Sequence, residues 1–549
     1  MTELTDDVTE LSADVLVAGG GPAGAWAAIK AAEAGADVVL ADKGYLGTSG
    51  ATASAGTGVW YVEPEPAARE AAMAGRESLG GHLADREWMA RVLDQTYANM
   101  NELAEISRYP FPEDETGRQI RRGLQGPEYM RRMRVRVRRA GVRVLDHSPI
   151  TELLAEGTGP SASAVVAGAA GYRIRDDRPF RVRAGAVVLA TGGCAFLSRA
   201  LGCDVNTGDG ALFAAEAGAE LSGMEFSNAY AIAPAFTSVT KTAFYSFATF
   251  YRADGTVLEG AGSRRGRSVI ARTLLSEPVL CRIDQATPEE QRAMRLAQAN
   301  FFLPFDRQGI DPFTDLFPVT LLAEGTVRGT GGIRITGPDC ATSVPGLYAA
   351  GDAATRELIC GGFTGGGSHN AAWAMSSGTW AGQGAARYAA GLGGRARTRS
   401  VRALGEAGLR PSGTATSGHT HRVSHAGHAD FVAAVQAEVL PYDKNLLRHG
   451  DRLAPALDAL DRTWHELRGT LREDGAGIVR ARSAAAMAAH ARWMYNAALA
   501  RTETRGMHKR QDTPDQDPAQ HHRLITGGLD EIWTRPETAA PAPTQAVAS

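Results

Sequence analysis

Residues 14–43 read DVLVAGGGPAGAWAAIKAAEAGADVVLADK, and this stretch decides the fold. Asp14-Val15-Leu16-Val17-Ala18 is a short apolar run with the length of a buried parallel strand. Gly19-x-Gly21-x-x-Gly24 then predicts a tight turn into a helix, with Pro22 at the first helical position, where a missing N–H costs little. Val38-Val39-Leu40-Ala41 reads as a second buried strand, with Asp42 at its carboxyl end. Gly19 allows the turn, Gly21 lets backbone approach a pyrophosphate, and Gly24 lets helix and strand pack closely. The helix N-terminus carries roughly half a positive charge for phosphates, and Asp42 can accept from ribose hydroxyls. The alternative is an ordinary βαβ unit with incidental glycines. Strand, glycines, helix, strand and acid in that order favour a dinucleotide site.

Working outward, residues 44–60 read GYLGTSGATASAGTGVW. Small residues let backbone lie against a flat ligand, while hydroxyls and N–H groups meet phosphate or ring atoms; the alternative is a flexible surface loop. Pro22, Ala23, Lys43, Ser49, Gly50, Ala51, Thr52, Ala53 and Gly56 are therefore cofactor-site candidates with Gly19, Gly21, Gly24 and Asp42. A later run, FRVRAGAVVLATGG, ends on Ala190, Thr191, Gly192 and Gly193, small residues that bring a strand end beside a cofactor. Residues 204–226 give a Gly-rich turn holding Asp209, and then a helix.

A chain of 549 residues exceeds one compact core, so two to four domains are expected. Its 44% hydrophobic and 22% charged content is that of a soluble globular protein. A net charge of −3 gives no general attraction to nucleic acid or anionic membrane. The arginines from 131 to 139 lack interleaved stacking aromatics beyond Tyr129 and read as a solvated helix face. The five cysteines (194, 203, 281, 340 and 360) are scattered without CxxC, which argues against a disulfide framework or an iron–sulfur cluster held by this chain alone. With no leader-like or membrane-length apolar run, the expectation is a cytoplasmic protein without membrane insertion.

Residues 64–108 and 127–140 read as helices interrupted by Pro110, Pro112 and Gly117. From 227 to 325 the βα regularity is lost. An aromatic cluster (Phe244, Tyr245, Phe247, Phe250, Tyr251) and a basic knot, SRRGR, suggest an inserted domain, after which GTGGIRI and GLYAAGDAA resume the dinucleotide pattern. Helical periodicity returns at 429–440, 452–473 and 477–500. Histidines 419, 421, 425 and 428 include an HxH spacing, but in a linker-like stretch without cysteine or clustered acids no metal is expected.

On the motifs GGGPAG (19–24), ATGG (190–193), NTGDG with AGAEL and MEF (206–226), PGLYAAGDAA (345–354) and ARTETRGMHKRQDTP (500–514), the chain resembles the flavoprotein superfamily of succinate dehydrogenase, fumarate reductase and L-aspartate oxidase. Adenylylsulfate reductase flavoprotein and 3-ketosteroid dehydrogenases are relatives in the wider group. The resemblance implies an α/β fold with a Rossmann-like FAD-binding domain in two segments (1–226 and 326–395). It also implies an inserted α+β capping domain (227–325), a linker (396–430), a C-terminal helical domain (431–535) and a disordered tail (536–549). It implies FAD rather than NAD, with Gly351 and Asp352 at the second FAD motif and Ser376 and Ser377 near the isoalloxazine. Where membrane-complex members carry FAD on a histidine, Gly50 stands here, so non-covalent FAD is expected.

The resemblance also implies a proton-carrying arginine in a motif like GRDVVAR. Here Arg267 in RGRSVIAR aligns with it, and Ser268 replaces the aspartate. A guanidinium with intrinsic pKa above 12 passes protons only where its site tunes it; the alternative is that Arg267 binds a substrate anion or forms a salt bridge. The family's substrate histidines are replaced: MEFSNAYAIAP offers Asn228 and Tyr230, TVRGTGG offers Arg328, and GGGSHNAAW offers His369 and Asn370. Arg267 is therefore the first catalytic candidate, with Arg328, Tyr230 and His369 to orient the substrate. The expected activity is hydride exchange between flavin and a small polar or anionic molecule other than simple succinate or fumarate. Two alternatives stand: the flavin subunit of a sulfur-compound reductase with a ferredoxin-type iron–sulfur partner, and a non-catalytic flavin-binding assembly protein. A homo-oligomer is compatible with either.

Overall fold

The computed structural model describes residues 8–157, 164–240, 242–263, 266–365, 367–410 and 426–537. Arg265, His419, His421, His425 and positions 538–549 of the tail lie outside the described residues.

The first strand begins earlier than its apolar run, at Thr9, and continues to Ala18. It is the centre of the main sheet, pairing in parallel with Val38–Ala41 on one side and Arg178–Leu189 on the other. Val15, Leu16 and Val17 are fully buried, as expected of a parallel strand covered on both faces. Arg143–Leu145 extends the sheet beyond Val38–Ala41. The strand Arg178–Leu189 uses one edge twice: residues 178–183 pair antiparallel with 168–173, and residues 187–189 pair in parallel with Leu347–Ala349. That second pairing returns the chain, after its excursion through 227–325, to the edge of the first nucleotide-binding unit.

The excursion is a four-stranded antiparallel sheet, in the order Ala229–Pro234, Phe317–Glu324, Val279–Arg282, Thr249–Tyr251. It has its own apolar core around Phe250, Ile270, Phe301, Phe305 and Phe317. The helix Gly367–Leu392 packs along Pro22–Glu33. The approach is close because a side chain at Gly378 or Gly382 would meet the carbonyls of Ala23 and Ala27, at 2.4 and 2.2 Å.

The expected linker is partly ordered: Val401–Ala403 pairs antiparallel with the strand Ile150–Glu156. After it come the helices His428–Val439, Gly450–Thr470 and Gly477–Ala500. The C-terminal region also carries strands. Leu524–Gly527 and Trp533–Pro536 join Leu221–Ser222 and Gly332–Ile333 in a third sheet, so the end of the chain is sewn into the nucleotide-binding half. Among the described residues no helix is long and apolar enough to cross a membrane, and no group of three or more His, Cys, Asp or Glu could hold a metal. All five cysteines are buried and free.

Candidate active site

One cleft of about 850 Å³ runs between the nucleotide-binding half and the inserted sheet, near the upper end of the range of roughly 300–1,000 Å³ usual for cofactor sites. Gly19, Gly21, Pro22, Ala23, Asp42, Lys43, Ser49, Gly50, Ala51, Thr52 and Gly56 line it. So do Ala190, Thr191, Gly192, Asp209, Gly351 and Asp352 from later in the chain. Gly19 has φ +106°, and a Cβ there would sit 2.3 Å from the Ala190 carbonyl oxygen. Gly24 does not reach the cleft: its missing side chain lets the helix rest on the turn, since a Cβ would lie 1.8 Å from the Gly19 carbonyl oxygen. At Gly21 a Cβ would meet only the Gly50 Cα, at 3.7 Å, so backbone is bared to whatever fills the cleft. The N-terminus of the helix Pro22–Glu33 opens there, with Gly21 as its cap and no side chain taking its N–H groups.

Asp42 is buried, and its oxygens accept from the backbone N–H of Gly20 and Gly44 (2.5 and 2.8 Å). Burial pushes its carboxyl up, against the opposing pull of Ser49 and those two N–H groups. Lys43 donates from Nζ to Asp209, Ser483 and Thr207 (2.9, 2.9 and 3.2 Å), joining the second strand, the Gly-rich turn and the last long helix. On the far side, Arg356, fully buried, donates to the Asp352 carboxylate and to the carbonyls of Thr326 (2.7 Å) and Gly329. It thereby ties the second nucleotide motif to the turn carrying Arg328. These features fit FAD: a glycine cradle, an open helix N-terminus and the buried carboxylate of Asp42 line one cleft.

Besides Gly24, four cofactor candidates stand back from the cleft. Ala53 is buried beside it, and Gly193 packs on Thr326, where a Cβ would be 2.5 Å from Oγ1. Ser376 faces Thr96, 3.3 Å away. Ser377 accepts from the Gly351 N–H at 3.0 Å and so braces that glycine from behind. The same helix turns Ser368, Asn370, Ala371 and Ala374 to the cleft instead.

The cleft continues to Arg267, Arg328 and Arg122. The left-handed Gly266 (φ +101°) caps the helix Arg267–Leu274 and sets Arg267 at its first position. Its Nη1 donates to the Tyr230 carbonyl (3.3 Å), while its buried Nε has no partner among the described residues. Burial and the neighbouring Arg328 pull its guanidinium down to about 10, against the attraction of Glu324. Glu324 is fully buried, accepts from the Thr240 hydroxyl at 2.6 Å and pairs with Arg328 Nε at 3.2 Å. Arg122 makes no ion pair or side-chain hydrogen bond among the described residues.

Tyr230 and His369 are elsewhere. The Tyr230 hydroxyl donates to the carbonyls of Val439 and Leu440 (2.9 and 3.1 Å), fastening the inserted sheet to the C-terminal helices. His369 is fully buried against Trp60, its Nε2 unpartnered, and burial with the field of Arg76 pulls it down to about 3. Among the described residues no histidine or cysteine lines the cleft. The sequence reading missed Arg122, Thr240, Glu324 and Arg356. The only local trace was the AEGTVRG run, where Glu324 precedes Arg328 by four residues, a helical ion-pair spacing.

A family model described as an FAD binding domain matches residues 14–235, and one described as the fumarate reductase flavoprotein C-term matches residues 438–536. The L-aspartate oxidase of Streptomyces coelicolor is 28% identical over 562 aligned positions, which span 95% of this chain and 92% of that protein. Among solved structures, the FrdA chain of E. coli quinol fumarate reductase gives a TM-score of 0.78 at 18% identity, covering 97% of this chain and 98% of its own. Adenylylsulfate reductase from Archaeoglobus fulgidus gives 0.75 at 17% identity, covering 96% of each chain. Both share the fold. The chain is an FAD-dependent oxidoreductase that carries an FAD binding domain and a fumarate reductase flavoprotein C-terminal domain and is homologous to L-aspartate oxidase.

Proposed function

We propose that this FAD-dependent oxidoreductase dehydrogenates a small carboxylate-bearing substrate at a C–C or C–N bond, with the flavin held non-covalently. One observation carries the reading: Arg267 and Arg122, neither with a carboxylate partner among the described residues, face the same cleft as the glycine cradle. An unpaired guanidinium lining a cleft favours an anion, and its planar fork suits a carboxylate. L-aspartate, fumarate and adenylylsulfate, named in the relatives, are all anions.

When bound, FAD supplies the two-electron acceptor for hydride leaving a substrate carbon. The chain's own residues place the substrate and take the proton. Arg122 and Arg328 hold the acid group. Arg267, its charged form disfavoured by burial and by Arg328, accepts the proton in its neutral form. Glu324, oriented by Thr240, stabilises the guanidinium once it is charged, and its pair with the less buried Arg328 leads the proton towards solvent. His369 stays neutral inside the wall and is assigned the role of packing Trp60 and the helix start.

The test is anaerobic mixing of the FAD-loaded protein with L-aspartate, succinate and phenylsuccinate while the flavin absorbance is followed. Bleaching by at least one carboxylate is expected. A flavin that dithionite bleaches but no carboxylate touches would end the reading.

A further inference from the structure

The arginines account for the charged part of the cleft's lining and leave its large apolar residues unexplained. Pro110, Pro112 and Ile120 line the cleft from the nucleotide-binding side, and Phe244 and Ala297 line it from the inserted region. Pro110, Pro112 and Ile120 are exposed, Ile120 by 43%. Phe244 is half-buried and held in place from behind by the rings of Phe301 and Phe302, at 5.4 and 5.6 Å between centroids. Single exposed apolar side chains are ordinary on a protein surface. Here several converge from two domains on one cavity that also holds unpaired cations, and such a juxtaposition marks a binding surface. A succinate-sized diacid satisfies the arginines and leaves this strip wet. A ligand with an apolar portion gains the hydrophobic term as well.

We infer that the substrate is a carboxylate carrying an aryl or alkyl body, its acid group at Arg122 and Arg328 and its body between Ile120 and Phe244. The inference rests on the carboxylate reading above and narrows it.

Calorimetric titration of the FAD-loaded protein with succinate and with phenylsuccinate tests it. Phenylsuccinate is expected to bind at least about tenfold more tightly, as burial of one ring against an apolar wall implies. Ile120→Asn, a change at an exposed position that folding tolerates, and Phe244→Ala should each remove most of that preference while the FAD content stays the same. Equal affinities, or tighter binding of succinate, overturn the inference and leave the carboxylate reading standing. Loss of FAD from the Ile120→Asn protein with the preference intact would assign the strip to the cofactor and overturn it too. Absence of binding by both acids would overturn the inference and the reading together.

Discussion

Glu225 and Glu357 are both fully buried, and Glu225 is close enough to disfavour the charge on Glu357. Glu225 pairs with Arg501 (2.8 Å), whereas among the described residues the Glu357 carboxylate has the Ser222 hydroxyl (2.5 Å) as its hydrogen-bond partner; each glutamate keeps one unpartnered oxygen. Burial first, and Glu225 second, push the Glu357 carboxyl up to about 8 from its ordinary 4.5. The folded chain therefore holds a proton there that the unfolded chain has already released. That contribution to stability is full below about 4.5 and is lost as pH rises through about 8. The melting temperature should accordingly fall between pH 6 and pH 9, and Glu357→Gln should flatten this part of the profile. An unaltered slope in the variant would remove Glu357 as the cause. At Arg267 the same physics acts on a cation, where burial and a like charge favour the neutral form.

The elements legible in the sequence were those whose meaning is local. Gly19, Gly21, Gly24 and Asp42 occupy one contiguous strand–turn–helix–strand unit, and their roles follow from backbone sterics alone. Gly24 shows how tight that unit is. A methyl group there has no room beside the Gly19 carbonyl, and such overpacking costs about 1–3 kcal/mol. Gly24→Ala should therefore purify with about a tenth or less of the wild-type FAD content, as a tenfold loss needs only about 1.4 kcal/mol. Wild-type content would contradict the role given to the turn. Ser376 and Ser377 were harder to place because a helix reveals its period but not its phase. The face of Gly367–Leu392 that lines the cleft at Ala371 and Ala374 continues into the Gly378 and Gly382 stripe against Pro22–Glu33, which turns Ser376 towards Thr96. Arg122 on the cleft and the fully buried Glu324 and Arg356, which hold Arg328 and Asp352, come from three separate regions, and no spacing along the chain announces such a convergence.

At the scale of the molecule, the C-terminal region is the clamp that keeps both halves of the cleft in register. Arg501, fully buried, donates to Glu225 (2.8 Å), Glu503 (2.9 Å) and the carbonyls of Gln520 (3.0 Å) and His522 (2.8 Å). Arg505 adds a bond to the Gly81 carbonyl (2.6 Å), and Tyr230 ties in the inserted sheet. Removing one partner of such a buried network strands the remaining charges, at a cost of about 3–5 kcal/mol. Arg501→Met should thus unfold in markedly less urea than wild type, and an unchanged midpoint would show that the clamp contributes little. The clamp and the glycine cradle together serve one end, a carboxylate held by Arg122 and Arg328 with Arg267 and the flavin beside it. The most direct test of that claim is the anaerobic rate of flavin bleaching by the carboxylates in wild-type and Arg267→Lys protein from pH 7 to pH 10. The wild-type rate should rise about tenfold per pH unit towards about 10 as the neutral guanidine becomes populated. Arg267→Lys should bleach roughly 100- to 10,000-fold more slowly with its FAD content intact. An Arg267→Lys protein that bleaches at the wild-type rate would contradict the account.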